Sequence, residues 1–351
     1  MLILLSQDRP TLTMSMKSTR QRLVALRHIV GTSTPTTVLR SYLNGDPLKG
    51  LSKSQNALFK DAVLVTVYRK WLAFPPNSLL DIGITTFDRR KLDEGVDKYA
   101  GAHAENFFRH VWFLHLRIRE RAHLPQGDAD PDRFHFGSTV FTTQEEARGL
   151  LHDVWHQPVD EENAGLGNRP IIYISFGNND GYATMRRDLD FDLSSANTTI
   201  AVMNAQSIAH QANITRSQDA SIDYLLKPFK ITPHDPANSG NAAAYITIIV
   251  FLSVLRMDLY HQIVENPKGK PGRYGQSKSK PARHVINALM LRPTPAPPFG
   301  HQTYCSACGS CEHIRPSCDD VFVACMRCAR SKQSWRRENA ESHLEELCAF
   351  P

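Results

Sequence analysis

The chain has 351 residues, 41% of them hydrophobic, and a formal charge of +6. That is long enough for one large domain with appendages or for two domains, and apolar enough for a real core. No run reaches the roughly 18 apolar residues of a membrane span, and the apolar start Met1 to Leu5 meets Asp8 and Pro10 too soon for a secretory signal; a soluble, intracellular protein (nucleus or cytoplasm) with no membrane partner is expected.

The charge is unevenly placed. Residues 1–60 carry +7, residues 264–300 carry +6 and residues 301–351 carry −1, which leaves −6 on the body between them. An acidic body between two basic arms fits contact with a polyanion at the flanks. Tails that merely confer solubility would look the same.

In chain order, residues 1–20 show no periodicity and are expected to be loose. Leu23, Leu26 and Val30 predict a short helix, and Val38 to Leu43 another. Both belong to a basic N-terminal extension, 1–60, that can pack on the main domain, which is expected over 61–263. Ala62 to Val67 is continuous and β-branched, as a buried strand should be. Leu79 to Phe87 reads as a second strand, Phe107 to Arg119 as a third and Thr139 to Phe141 as a short fourth. Thr143 to Trp155 reads as a helix, with Thr143 as N-cap and Glu145 and Glu146 in the first turn. Ile171 to Phe176 and Thr198 to Met203 are strands. Asp180 to Asp188, Ala205 to Gln211 and a long apolar stretch from Gly240 to Ile263 are helices. Antiparallel strands followed by strands alternating with helices predict an α/β mixed sheet with helices packed on it.

Pro267 to Arg283 is different in kind. It has six Lys/Arg and no acid, and reads as a flexible basic linker within a Pro/Gly-rich segment, 264–300. Lys268, Lys270 and Arg273 are candidates for nucleic-acid contact there.

All seven cysteines lie between Cys305 and Cys348, so none can staple the first 300 residues. Clustered thiols with no disulfide framework elsewhere point to metal. Cys305, Cys308, His313 and Cys318 have the spacing of a CCHC zinc knuckle, with Gly309 placed for the tight turn. Cys325, Cys328, His343 and Cys348 repeat the ends of that pattern around a longer loop. A competing arrangement joins Cys305, Cys308, Cys325 and Cys328 in a four-thiolate ribbon. Either scheme uses eight ligands for two Zn²⁺ ions in a module over 301–351 and leaves Cys311 spare. Small zinc modules often hold single strands by aromatic stacking and Arg contacts. Trp335, Arg336 and Arg337 are the candidates here, and a protein-docking clip is the alternative.

Three segments carry a resemblance. Asp61 to Val67 followed by Leu80 to Asp88, then Arg169 to Gly177 with Asn179 and Asp180, then Ala237 to Tyr245, resemble motifs of a fungal RNase-H-like family. That family is typified by a yeast mRNA-export-associated protein and is related to the DEDD exonucleases. The resemblance covers about 61–260. It implies an RNase-H-like fold and a chemistry in which four carboxylates hold two divalent ions and a His or Tyr helps activate water. Where the family pattern has an Asp-x-Glu pair, this chain has Tyr68 and Lys70. Where it has the His and Asp of its third motif, this chain has Ala237 and Ala242. Only Asp180 of the second motif matches. The resemblance therefore implies a degenerate site: no catalytic residue, no Mg²⁺ or Mn²⁺, and Lys70 available to a phosphate. The expected function is nucleic-acid binding, RNA ahead of DNA, with protein partners also compatible. The alternatives are an active metal-dependent 3′–5′ exonuclease and a protein-interaction scaffold.

Overall fold

The computed structural model describes residues 16–75, 77–92, 99–124, 133–163, 166–177, 181–193, 196–260, 281–319 and 322–350, with the side chains of 16–20 and 181–184 left aside. Its elements in order are α1 (Met16–Thr32), α2 (Pro35–Asn44), α3 (Lys53–Lys60), β1 (Val63–Trp71), β2 (Leu79–Asp88), α4 (Glu105–Phe108), β3 (Val111–Ile118), β4 (Thr139–Thr142), α5 (Gln144–Trp155), β5 (Ile171–Ser175), α6 (Gly181–Leu189), β6 (Thr199–Asn204), α7 (Ala205–Gln211), α8 (Ile222–Leu226), α9 (Ser239–Val254), α10 (Arg256–Tyr260), α11 (Ala282–Met290), α12 (Met326–Ala329) and α13 (Ser334–Glu338).

Six strands form one mixed sheet in the order β4-β3-β2-β1-β5-β6. β1, β2 and β3 run antiparallel, while β5, β6 and β4 each pair in parallel with a neighbour. Helices cover both faces. One face carries α9 and the N-terminal helices, with Phe87, Phe107, Tyr42 and Phe251 in its core. The other carries α5 and α6, with Trp155, Met185 and Leu189 over Val65, Ile84 and Leu116. This is the expected α/β architecture, consistent with an RNase-H-like fold.

Helix α9 is buried along all of its 16 residues. Its run Ile246, Thr247, Ile248, Ile249, Val250 is β-branched and costs roughly half a kcal/mol per residue in helix propensity. Burying each large aliphatic side chain returns about 2 kcal/mol, so packing decides the conformation. Asn238 caps the helix by accepting from the N–H groups of Gly240 and Asn241. Thr247 joins Thr66 and Thr85 at 2.8 and 2.6 Å, so three hydroxyls satisfy one another between helix and sheet. The single long helix expected from Gly240 stops at Val254. Arg256 turns away to donate to the carbonyls of Ala212 and Asn213 at 3.4 and 3.1 Å, and 261–263 lie outside the described residues.

Two expectations were too sparse. The N-terminal extension is part of the domain: Leu23, Leu26, Val38, Leu39 and Tyr42 are buried in the α9-side core, and the Tyr42 hydroxyl donates to the Ala62 carbonyl at 2.8 Å. Residues 281–300, expected as linker, carry α11 and a strap. Ala282, Val285, Ile286 and Leu289 recur at helical spacing and pack on the same core, a pattern that basic composition masked. Thr294 then bonds Phe113 and Phe136, and His301 pairs with Phe141 along the outer edge of β4. The rest of that segment, including Lys268, Lys270 and Arg273, lies outside the described residues. The expected strand from Phe107 starts only at Val111, because Glu105 captures the N–H groups of Ala102 and His103 and winds α4. No helix among the described residues is long and apolar enough to cross a membrane.

Gly83 and Gly240 let α9 seat closely on the sheet. A Cβ on Gly83 would overlap the Ser239 carbonyl, which is backbone and cannot step aside. Gly83→Ala is therefore expected to destabilise the domain by about 3 kcal/mol or more, read by chemical denaturation. An unchanged midpoint would contradict this seating.

Candidate functional site

The first turn of α9 lies over the end of the β1–β2 hairpin. There the register sets Tyr68 beside Gly83 and Lys70 beside Asp81, and continues across β3 to His115 and Arg117. Tyr68 packs edge-on against Phe176 at 6.4 Å, and Lys70 is half-buried. Ala237 is exposed in the turn before α9 and Ala242 is fully buried within it. Asp180 lies outside the described residues.

Asp81 is fully buried and surrounded. It accepts from the Ser239 hydroxyl, lies 3.4 Å from the Arg117 guanidinium and faces the His115 Nε2 at 3.9 Å. Burial alone would raise its pKa; His115, Arg117 and Ser239 outweigh that and hold it below the usual carboxylate range. Burial lowers Arg117 to about 10 against the pull of Asp81. The pair cannot part cheaply, since removing one member of a buried ion pair costs about 3–5 kcal/mol. Arg117 also donates to the carbonyls of Arg121, Ala122 and Leu124 at 3.1 to 3.3 Å, which fixes the turn after β3.

The other nearby acids are paired too. Asp188 meets Arg121 and Arg187, Asp235 meets Arg133 and His135, and Asp88 meets Arg169 at the far end of β2. Among the described residues, no three Asp, Glu, His or Cys side chains converge by this cleft.

A family model described as "DNA polymerase III subunit epsilon-like, C-terminal domain" matches residues 63–254, more than half of the chain. The chain belongs to this exonuclease-like family. The matched stretch of the epsilon-like domain runs from the first residue of β1 to the last of α9, so the N-terminal helices, the strap and the cysteine-rich tail lie beyond it. No curated protein matches the chain.

In that tail the eight expected ligands fall into two sets, Cys305, Cys308, His313, Cys318 and Cys325, Cys328, His343, Cys348, with the ligand atoms of each set within 4.8 Å of one another. The four-thiolate ribbon is not formed, and Cys311 belongs to neither set. Tetrahedral zinc with bonds near 2.3 Å places two sulfurs ~3.8 Å apart; Cys328 and Cys348 stand 3.7 Å apart. Gly309 takes φ +80°, and its N–H donates to the Cys305 carbonyl at 2.8 Å, which closes the first knuckle. In the second set, His343 turns its Nδ1 to the Ser342 hydroxyl at 2.8 Å and its Nε2 to the thiols. Burial lowers its pKa to about 4, so the ring is neutral, as a ligand must be. Burial also pushes the Cys328 thiol up to about 12, with Cys348 and Cys325 adding to the rise. A dication would release those protons. Both sets could hold zinc.

The residues expected to touch nucleic acid are divided. Trp335 stacks on Phe74 of the epsilon-like domain at 5.1 Å and meets Phe350 edge-on at 5.3 Å, so the structure uses it for packing. Arg336 covers the Phe350 ring at 4.5 Å. Arg337 is exposed and donates to the Ser331 carbonyl at 2.8 Å. Nothing in the sequence joined Asp81 to its partners Arg117, His115 and Ser239. They are neighbours only through strand register and helix docking.

Asp81, Asp88 and Asp188 all have depressed values in the folded state, burial being outweighed by Arg117, Arg169 and Arg187 with their neighbours. Their contribution to stability is complete above the unfolded carboxylate value of about 4 and is lost as pH falls through the folded values. Stability should therefore fall below about pH 4, read by circular dichroism; a flat profile there would contradict the pairing. Elemental analysis should also find two zinc ions per chain, and chelation should unfold the tail, since such a site contributes on the order of 10 kcal/mol.

Proposed function

We propose that this protein binds nucleic acid, RNA ahead of DNA, through an exonuclease-like domain that does not hydrolyse it. The observation that carries this reading is the replacement of acids at the end of β1. Tyr68 and Lys70 stand where the related enzymes present carboxylates, and the acid paired with Lys70 across the strands, Asp81, is sealed against Arg117, His115 and Ser239. Mg²⁺ and Mn²⁺ are hard ions that require oxygen ligands. A phenol packed on Phe176 and an ammonium do not supply them, so the donor set does not fit a two-metal centre. The likeness of Asp61 to Val67 with Leu80 to Asp88, Arg169 to Gly177 with Asn179 and Asp180, and Ala237 to Tyr245 to the fungal RNase-H-like family supports this reading.

What supports binding is charge and kinship. The family's fold accommodates a nucleic-acid strand, and this chain flanks it with basic arms of +7 and +6. Phosphates neutralised by Lys and Arg release counterions, which supplies affinity without sequence preference. Lys70, Lys268, Lys270, Arg273 and Arg337 are the residues we assign to that contact.

A labelled single-stranded RNA incubated with the full-length protein and Mg²⁺ or Mn²⁺ should remain intact. Its fluorescence anisotropy should show binding whose logarithm falls linearly with the logarithm of salt concentration. Lys70→Glu should weaken that binding at an unchanged melting temperature. Nucleotide release abolished by Asp180→Ala would overturn the non-hydrolytic reading, and absence of salt-dependent binding would favour a protein scaffold.

A further inference from the structure

The two Cys/His sets are not alike in their surroundings. In the first, only Cys305 is buried. In the second, Cys325, Cys328 and His343 are all buried, at 0, 1 and 0% exposure. What buries them is the epsilon-like domain as well as the tail. Leu72 after β1, Leu80 of β2 and Leu124 after β3 form one apolar cluster with Cys325, Cys328, Ala340 and Phe350. Phe74, from the β1–β2 hairpin loop, covers Trp335. His123, from the turn after β3, stacks its ring on that of His343 at 3.8 Å and 28°, and its carbonyl accepts from Asn339 at 3.2 Å.

We propose that the second zinc site is completed by the exonuclease-like domain, with His123 as its positioning residue, and that its ion clamps the tail onto the end of the β1–β2 hairpin while the first site remains independently exchangeable. A zinc ligand needs its ring fixed in two respects. Ser342 sets which nitrogen of His343 faces the thiols, and the stacked His123 ring sets the plane. His123 is itself held, because Arg117 fixes the carbonyls of Arg121, Ala122 and Leu124 on either side of it. Groups that orient a ligand in this way change metal affinity by about 10- to 100-fold when removed. The apolar cluster also excludes the water and chelator that would attack the site. The first set has its own turn at Gly309 and meets the second through the Leu344 N–H on the Ala307 carbonyl, the Leu347 side chain beside Gly309 and the Arg315 guanidinium on the Glu341 carbonyl; the contacts from Leu72, Phe74, Leu80, His123 and Leu124 that bury the second set do not pass through it, so loss of its ion leaves the clamp in place.

This inference rests on the zinc reading, and one preparation separates the two. Full-length protein is first assayed for metal; a content other than two zinc ions per chain would end the zinc reading and the clamp with it. Transfer of zinc to a chromophoric chelator should then show two phases of one ion each. His123→Ala should speed the slow phase by about tenfold and leave the fast phase alone, while His123→Phe, which keeps a stacking ring, should restore the slow rate. Phe74→Ala, at a half-exposed surface ring with little risk to folding, should also speed only the slow phase. With ¹¹³Cd in place of zinc, His123→Ala should move one of two resonances and leave the other. A single release phase, or a slow phase unchanged in both alanine variants, would overturn the proposal.

Discussion

Helix α9 has no polar face, and the rest of the molecule is arranged around that constraint. An apolar helix in water must be enclosed on every side. The sheet encloses one side, with Thr66 and Thr85 placed to satisfy Thr247. Helices α2, α7 and α8 enclose the other. The N-terminal helices are therefore structural walls of the domain. The same enclosure sets the approach of α9 to β2, where Gly83 and Gly240 remove the side chains that would hold helix and strand apart. That close approach brings the Ser239 hydroxyl down onto Asp81.

This contact shapes the polar interior. A buried carboxylate in reach of one hydroxyl still requires a counter-charge. Arg117 supplies it across the β2–β3 pairing, and its Nη2 binds three carbonyls of the turn beyond β3. An acid bound in this way is held on every side by the fold's own donors. The row Lys70, Asp81, Arg117 alternates in charge across adjacent strands.

The turn that Arg117 secures also presents His123 and Leu124 to the tail. A chain of direct contacts thus runs from α9 through Asp81 and Arg117 to the second Cys/His set. The tail is docked through Phe74, Trp335 and the cluster around Leu72 and Leu80, while the strap over 281–301 ties the outer edge of β4. Residues 301–351 have the composition of a separate small domain and the packing of an integral one.

The sequence alone determined what depends on local spacing. Thr143 as N-cap, with Glu145 and Glu146 in the first turn, announced α5, and the structure closes a capping box between Thr143 and Glu146. Apolar β-rich runs announced β1, β5 and β6, and the Cys/His intervals announced the eight ligands, whose grouping into two sets the fold decided. Local chain geometry fixes caps, strands and knuckles, so a short window contains the whole signal. Tertiary structure alone decided which side chains meet across large separations. Asp81, Arg117 and Ser239 come together only through strand register and the docking of α9, and nothing in their spacing announces it. Trp335 read as a free stacking platform because its partner Phe74 lies in another part of the chain, and the helical spacing of Ala282 to Leu289 was obscured by basic neighbours. Burial is a property of the folded surface, and no linear pattern records which aromatic ring will be covered by which distant loop.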